Sequence, residues 1–210
     1  IFRTLEEIAD MLDPCILSNN ISFIDIFKIT AKENLFHAHS VNVGFYSLML
    51  GNAFKMNDFA RRELFLGCML SDVGKKTIPD AIKFKKGILT PEEFKEIRKH
   101  SAVSRKILND LRCYSENILR MAGEHHEKLN GTGYPKGLSG ESIALSAKIC
   151  SLMDVFSALT SDRFHRPRYN PMQAMAIIKN EMTGSFDDRI FVNFVKSLTV
   201  VSAPTATAKV

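Results

Sequence analysis

The chain has 210 residues, 45% of them hydrophobic and 24% charged, with a formal net charge of +5. That is enough apolar material for a sizeable core, in proportions ordinary for a soluble globular protein. The mild positive excess suits an anionic small ligand or an acidic partner and gives no reason to expect a nucleic-acid polymer. No stretch approaches the roughly 20 apolar residues that a membrane-crossing helix needs. The chain opens at Ile1 without a basic-plus-apolar leader pattern, and that start suggests a portion of something longer. Cys15, Cys68, Cys113 and Cys150 are widely spaced, with no Cys-x-x-Cys. Three of them, Cys15, Cys68 and Cys150, sit in apolar runs, so buried reduced thiols and a cytoplasmic location are expected.

Helical periodicity dominates. A first helix is expected over residues 4–12, opened by the Thr4 and Glu7 capping box, and a second over 21–32. Over 41–54, Val41, Phe45, Leu48, Met49 and Ala53 recur at helical spacing. A helix over 58–70 ends in a nearly continuous apolar run. Residues 74–87 read as a long basic loop. Thr90 as N-cap, Pro91 at the first helical position and Glu92 and Glu93 in the first turn open a helix over 91–100. Further helices are expected over 102–111, 115–125, 142–159, 171–181 and 187–197. Between them, residues 129–140 hold Gly131, Gly133, Pro135, Gly137 and Gly140, the strongest breaker segment in the chain. The fold class is therefore all-α. Residues 1–33 are expected as helices leading into a domain over 34–201, with a flexible tail over 202–210.

Two aspartates stand in the wrong surroundings. Asp154 is flanked by apolar residues on every helical face, and Asp72 follows the apolar run that ends at Leu70. A buried carboxylate costs several kcal/mol unless a cation or hydrogen-bond donors meet it. His39, His100, His125 and His126 stand at the expected ends of apolar-faced helices. Any one of them alone reads as a surface or dipole-satisfying residue. Together with the two aspartates they form a set suited to Fe, Mn, Zn or Ni. Two such ions bridged by a carboxylate favour phosphoester hydrolysis. Among the remaining polar residues, Lys83, Lys85, Lys86, Lys95, Arg98 and Lys99 read as an anion-steering patch or a solvated face. Glu124 and Glu127, flanking the histidine pair, are expected to face solvent, the alternative being carboxylates that orient the histidines.

The ordered motifs carry a resemblance. Ser71-Asp72-Val73-Gly74-Lys75 resembles the HD-x-GK motif of the HD phosphohydrolases, and the run from His125-His126-Glu127 to Gly133-Tyr134-Pro135 resembles the HHE…GYP motif of the HD-GYP family. His39 to Val43, Lys86 to His100 and Asp154 to Arg163 resemble its other motifs in order. The resemblance implies a multi-helix HD-type bundle with a metal site between helices, binding two divalent ions, Fe or Mn. By it, His39 and Asp154 hold one metal, Asp72 bridges, and His100, His125 and His126 complete the second. Lys75 and Asp72 are the expected catalytic pair. Gly133, Tyr134, Arg163 and Arg166 are the expected substrate contacts.

The implied activity is hydrolysis of cyclic di-GMP by metal-activated hydroxide, to linear pGpG and then to GMP by a second cut. A sensory or receiver domain elsewhere in a full-length chain and a GGDEF-type partner are also implied. The family's first motif histidine is Ser71 here, which removes one ligand from the first metal. That departure favours the alternative expectation: a catalytically weakened domain that binds a nucleotide or a protein partner.

Overall fold

The computed structural model describes residue 7, residues 35–113, residues 115–162 and residues 167–199. The expected helices over 4–12 and 21–32, the tail, Arg163 and Arg166 lie outside the described residues. The described elements are α1 (Leu35–Ala53), α2 (Asp58–Leu70), α3 (Asp80–Lys83), α4 (Pro91–Arg98), α5 (His100–Asp110), α6 (Glu116–Glu124), α7 (Leu145–Thr160), α8 (Pro171–Glu181) and α9 (Asp188–Thr199). Short 3-10 turns cover Val73–Thr77 and Gly140–Ser142. There is no strand among the described residues; Asn130 and Ser139 form one isolated antiparallel bridge.

Local chemistry sets the helix starts. The Asn57 side chain accepts from the Ala60 amide at 2.9 Å and opens α2. At α4, the Glu93 amide donates to Thr90 Oγ1 at 3.2 Å and the Thr90 amide donates to Glu93 Oε2 at 2.8 Å. Asn170 and Gln173 form the same reciprocal box at α8, with Pro171 in the first turn. Helix α1 begins earlier than the apolar period suggests, because no glycine or proline interrupts residues 35–40. His39 consequently lies in its second turn.

Two other expectations shift. Residues 91–100 are not one helix. The chain turns at Lys99, where the Ile97 carbonyl accepts from the His100 ring at 2.6 Å, and His100 opens α5. The expected loop over 74–87 contains the 3-10 turn Val73–Thr77 and α3.

Helix α1 is the hub, packing on α2, α7 and α9; α6 packs on α2, α5 and α7. The core runs from Val43, Tyr46 and Leu50 through Phe65 and Met121 to Leu152, Phe156 and Phe194. Tyr46 meets Phe156 edge-on at 5.4 Å between centroids, and Phe156 meets Phe194 at 4.7 Å. One close approach sets the site. A Cβ on Gly74 would fall 2.3 Å from the His100 carbonyl oxygen, so only glycine lets the turn after Asp72 lie on the start of α5. The Gly74 amide donates to Ser104 Oγ at 2.8 Å across that contact.

Phe156 links both sides of the core, so Phe156→Ala is expected to lower the unfolding free energy by about 3–5 kcal/mol, read from the midpoint of denaturant unfolding.

Candidate metal centre

Four helices and one turn deliver the titratable side chains. His39 comes from α1, Asp72 from the turn after α2, His100 from the start of α5, His125 and His126 from the end of α6, and Asp154 from the middle of α7. They assemble into two groups that could each hold an ion: a first, Asp72 with His39 and Asp154, and a second, Asp72 with His100, His125 and His126. Asp72 belongs to both.

Its two oxygens divide between the groups. Oδ1 lies 3.2 Å from His100 Nε2 and 3.5 Å from His125 Nε2. Oδ2 lies 3.7 Å from His39 Nε2 and 2.5 Å from Lys75 Nζ. In the second group, His126 Nε2 is 3.1 Å and His125 Nε2 3.4 Å from His100 Nε2. His39 Nε2 is 2.9 Å from Asp154 Oδ1.

The surroundings fix which ring nitrogen faces inward. His100 Nδ1 donates to the Ile97 carbonyl at 2.6 Å. His125 Nδ1 lies 3.0 Å from the Met121 carbonyl and 3.1 Å from that of Ala122. A carbonyl can only accept, so each Nδ1 carries a hydrogen, and each Nε2 presents its lone pair when the ring is neutral, as a metal ligand must be. His39 Nδ1 is held by Ser157 Oγ at 2.9 Å. Outer contacts of this kind orient metal-binding histidines. Sequence reasoning passed over Ser157, although it stands three residues after Asp154 on the same face of α7.

These residues fit a divalent ion. Asp72 Oδ1 is buried and makes no hydrogen bond, despite the two ring nitrogens close to it. Three imidazole nitrogens and a carboxylate oxygen therefore converge with nothing bonded between them and that oxygen. Donor atoms about 2.1 Å from a shared ion stand about 3.0 Å apart in an octahedron and about 3.4 Å apart in a tetrahedron. The separations of 3.1, 3.2, 3.4 and 3.5 Å in the second group match that range.

The charges agree. Burial opposes ionisation of Asp72, but the Lys75 ammonium and the His100 and His125 rings outweigh it and hold the carboxyl well below its ordinary range. Burial likewise opposes Asp154, and the His39 contact overrides it and lowers that carboxyl. Burial, reinforced by the neighbouring His125, pushes His126 well down, which keeps its imidazole neutral and able to ligate. Burial against His125 is outweighed by its contact with Asp72, which raises its pKa.

Ser71 is buried, and its hydroxyl donates to the Cys68 carbonyl at 2.9 Å. It turns back on α2 and adds no ligand to either group. Cys68 and Cys150 are buried free thiols, as expected; Cys113 is half-buried, and Cys15 lies outside the described residues.

Of the expected substrate contacts, Gly133 and Tyr134 lie beside the centre, while Arg163 and Arg166 lie outside the described residues. A Cβ on Gly133 would fall 2.4 Å from the Lys128 amide nitrogen, so this glycine acts by letting the loop lie against residues 126–128. The Tyr134 amide then donates to the His126 carbonyl at 3.1 Å, followed by a cis Tyr134–Pro135 bond. Tyr134 lies over His126 with centroids 4.7 Å apart. Burial, and then the Asp154 and Asp72 charges, push its phenol up, so it stays neutral.

Glu124 and Glu127 correct the expectation that they face solvent: both are buried. Glu127 Oε1 accepts from the Lys136 amide at 2.7 Å and Oε2 from the Leu138 amide at 2.9 Å, clamping the loop that carries Tyr134. Glu124 pairs with Arg120 at 3.0 Å and meets the Ala144 amide at 3.4 Å, ahead of α7. No sequence pattern marks these roles, because the amides that Glu127 and Glu124 meet lie 9 to 20 residues away.

The HD domain family model matches residues 23–190. The chain is 32% identical to a cyclic di-GMP phosphodiesterase of Pseudomonas aeruginosa, over 91% of this chain and 46% of that protein. It is 32% identical to a 3'3'-cGAMP-specific phosphodiesterase of Vibrio cholerae, over 82% of this chain and 37% of that protein. The chain thus spans less than half the length of these curated relatives. A solved HDG"Y"P protein from Bdellovibrio bacteriovorus has the same fold, with a TM-score of 0.74 and 20% identity over 94% of this chain and 63% of that one.

Glu127→Gln replaces one of two acceptor oxygens with a donor facing a backbone amide. Amide hydrogen exchange at Lys136 and Leu138 is expected to rise about tenfold or more, since losing a charge-assisted bond costs about 1.5–3 kcal/mol. Unchanged protection there would refute the clamp.

Proposed function

The chain belongs to the HD domain family, and from that premise we propose that it is a metal-dependent phosphodiesterase whose substrate is a cyclic dinucleotide, cyclic di-GMP first among them. The observation that carries this reading is the shared Asp72, with one oxygen facing each ligand group. His39, Asp72 and Asp154 would hold one ion, and Asp72, His100, His125 and His126 the other. Mixed imidazole and carboxylate ligands suit Fe or Mn. Divalent ions bound there supply a hydroxide at neutral pH and neutralise charge on the phosphate.

The protein's own groups do the rest. Lys75 Nζ is half-exposed beside Asp72, placed to meet the phosphate and to give a proton to the departing ester oxygen. Water adds to phosphorus, one P–O ester bond breaks, and the ring opens to a linear dinucleotide with a terminal phosphate. A second cut of the same kind yields mononucleotides. The dry, packed helix ends beneath the site keep the ligands from swinging away. Free buried thiols suit action in the cytoplasm. Among the described residues no helix is long and apolar enough to cross a membrane.

Ser71 supports a second reading, a domain that binds the nucleotide and turns it over poorly. The intact second group and the retained Lys75 weigh against it, because three imidazole nitrogens and an unbonded carboxylate oxygen converge in a buried space that a cation would fill.

Elemental analysis of protein purified without chelator is expected to find about two ions per chain, with hydrolysis of cyclic di-GMP; no metal and no turnover would sink the enzyme reading. Asp72→Asn should abolish both together, and normal turnover in that variant would refute the bridging role. Ser71→His is expected to raise ion affinity at the first group by about tenfold, within the range by which a metal's surrounding ligands act. An unchanged titration curve in a folded Ser71→His protein would show that position 71 does not face the ion.

A further inference from the structure

The basic patch on residues 83–99 is not uniform. Lys83 pairs with Asp80 at 2.7 Å, Lys85 with Glu93 at 2.6 Å, and Lys99 with Glu96. Arg98 differs. Among the described residues it has no carboxylate partner, and its guanidinium lies between two aromatic rings. Its Cζ is 4.7 Å from the centroid of Phe94 and 4.9 Å from that of Tyr134. Phe94, on the same helix, is 43% exposed, so this side of the guanidinium is open to a ligand.

The order of contacts is what matters. Phe94 meets Arg98, Arg98 meets Tyr134, Tyr134 lies over His126, and His126 Nε2 is 3.1 Å from His100 Nε2. A guanidinium is thus fixed two residues before one candidate ligand and one ring away from another, at the rim of the metal centre. Aromatic faces hold a guanidinium by its plane and leave its N–H edge free. That edge matches two oxygens of one phosphate. Lys95, one helical turn before Arg98, is exposed and adds positive potential on the same face.

We propose that Arg98, clamped between Phe94 and Tyr134, binds a phosphate of the substrate other than the one being cleaved. A cyclic dinucleotide has two phosphates, and the metal centre takes one. The clamp then selects substrates with a second phosphate. This inference rests on the phosphodiesterase reading for its substrate, while its contacts stand independently of it.

The test compares wild type, Arg98→Ala, Arg98→Lys and Phe94→Ala as metal-loaded proteins, with metal content and thermal unfolding measured for each. Two substrates are used: cyclic di-GMP, and bis(p-nitrophenyl) phosphate with its single phosphate. In Arg98→Ala, KM for cyclic di-GMP is expected to rise about tenfold to a hundredfold, the size of one lost charge-assisted pair. Its kcat should stay within about threefold, and KM for the single-phosphate substrate should rise by a clearly smaller factor. Arg98→Lys, which keeps the charge but neither fork nor stacking plane, should fall between. Phe94→Ala should shift KM in the same direction by less.

Equal KM factors for both substrates, or no change for either, would overturn the proposal. If wild type binds cyclic di-GMP by calorimetry without cleaving it, the phosphodiesterase reading fails. A Kd at least tenfold weaker in Arg98→Ala would still uphold the clamp, and an unchanged Kd would remove it. If wild type neither binds nor cleaves cyclic di-GMP, both fall.

Discussion

The centre of this structure depends on one electrostatic constraint: lone pairs and negative charge are crowded into a space from which water is largely excluded. His100 and His125 are almost wholly buried, and their Nε2 atoms point at each other, at His126 and at an Asp72 oxygen with no hydrogen bond. Left to themselves such groups would turn outward or protonate. They stay because every Nδ1 that could be reached from behind is tied down. The Ile97, Met121 and Ala122 carbonyls and the Ser157 hydroxyl each hold a ring in place. The elements that carry these anchors are packed into the same core as the ligands' own backbone. Rigidity of the bundle and convergence at its end are therefore one property.

Glycine and glutamate extend that logic outward. Gly74 lets the Asp72 turn rest directly on the first residues of α5, which holds the Asp72 carboxylate beside His100. Gly133 does the same between the Tyr134 loop and the end of α6, and Glu127 closes that loop with two backbone amides. The rim that would meet a ligand is thus attached to the residues that would meet the metal.

How much of this was legible in the sequence depends on how local the cause is. Helices α2 and α8 were readable to the residue, because Asn57 and Asn170 cap within three positions of themselves. The residues that come together at the candidate centre were legible because Asp72 and Asp154 break an apolar pattern and the histidines stand at its edges. The turn at Lys99 was not, although the contact beside it is as local, because a histidine that bonds the carbonyl three residues back leaves no mark in the apolar pattern. The burial of Glu124 and Glu127 was not legible either. Nothing near them in sequence marks them for burial, and the backbone amides they meet belong to other segments. Arg98 was visible only as one member of a basic run; the two rings that set it apart come from residues 94 and 134.

Ser71 gives the centre its asymmetry. Its hydroxyl turns to the Cys68 carbonyl, so the first group is left with His39, Asp72 and Asp154, while the second has four donors within ligand reach of one another. The two groups share Asp72, so their occupancies are linked. An ion on the three-histidine side draws on Oδ1 and reduces what Oδ2 can offer the other side. Lys75, 2.5 Å from Oδ2, competes for that same oxygen. The weaker group is thus the one beside the cation expected to meet the phosphate. Under the proposed function, a substrate phosphate arriving there would add oxygen donors to the three-ligand set and compete with Asp72 for Lys75. The missing histidine would then make an ion at the first group depend on the substrate more than an ion at the second.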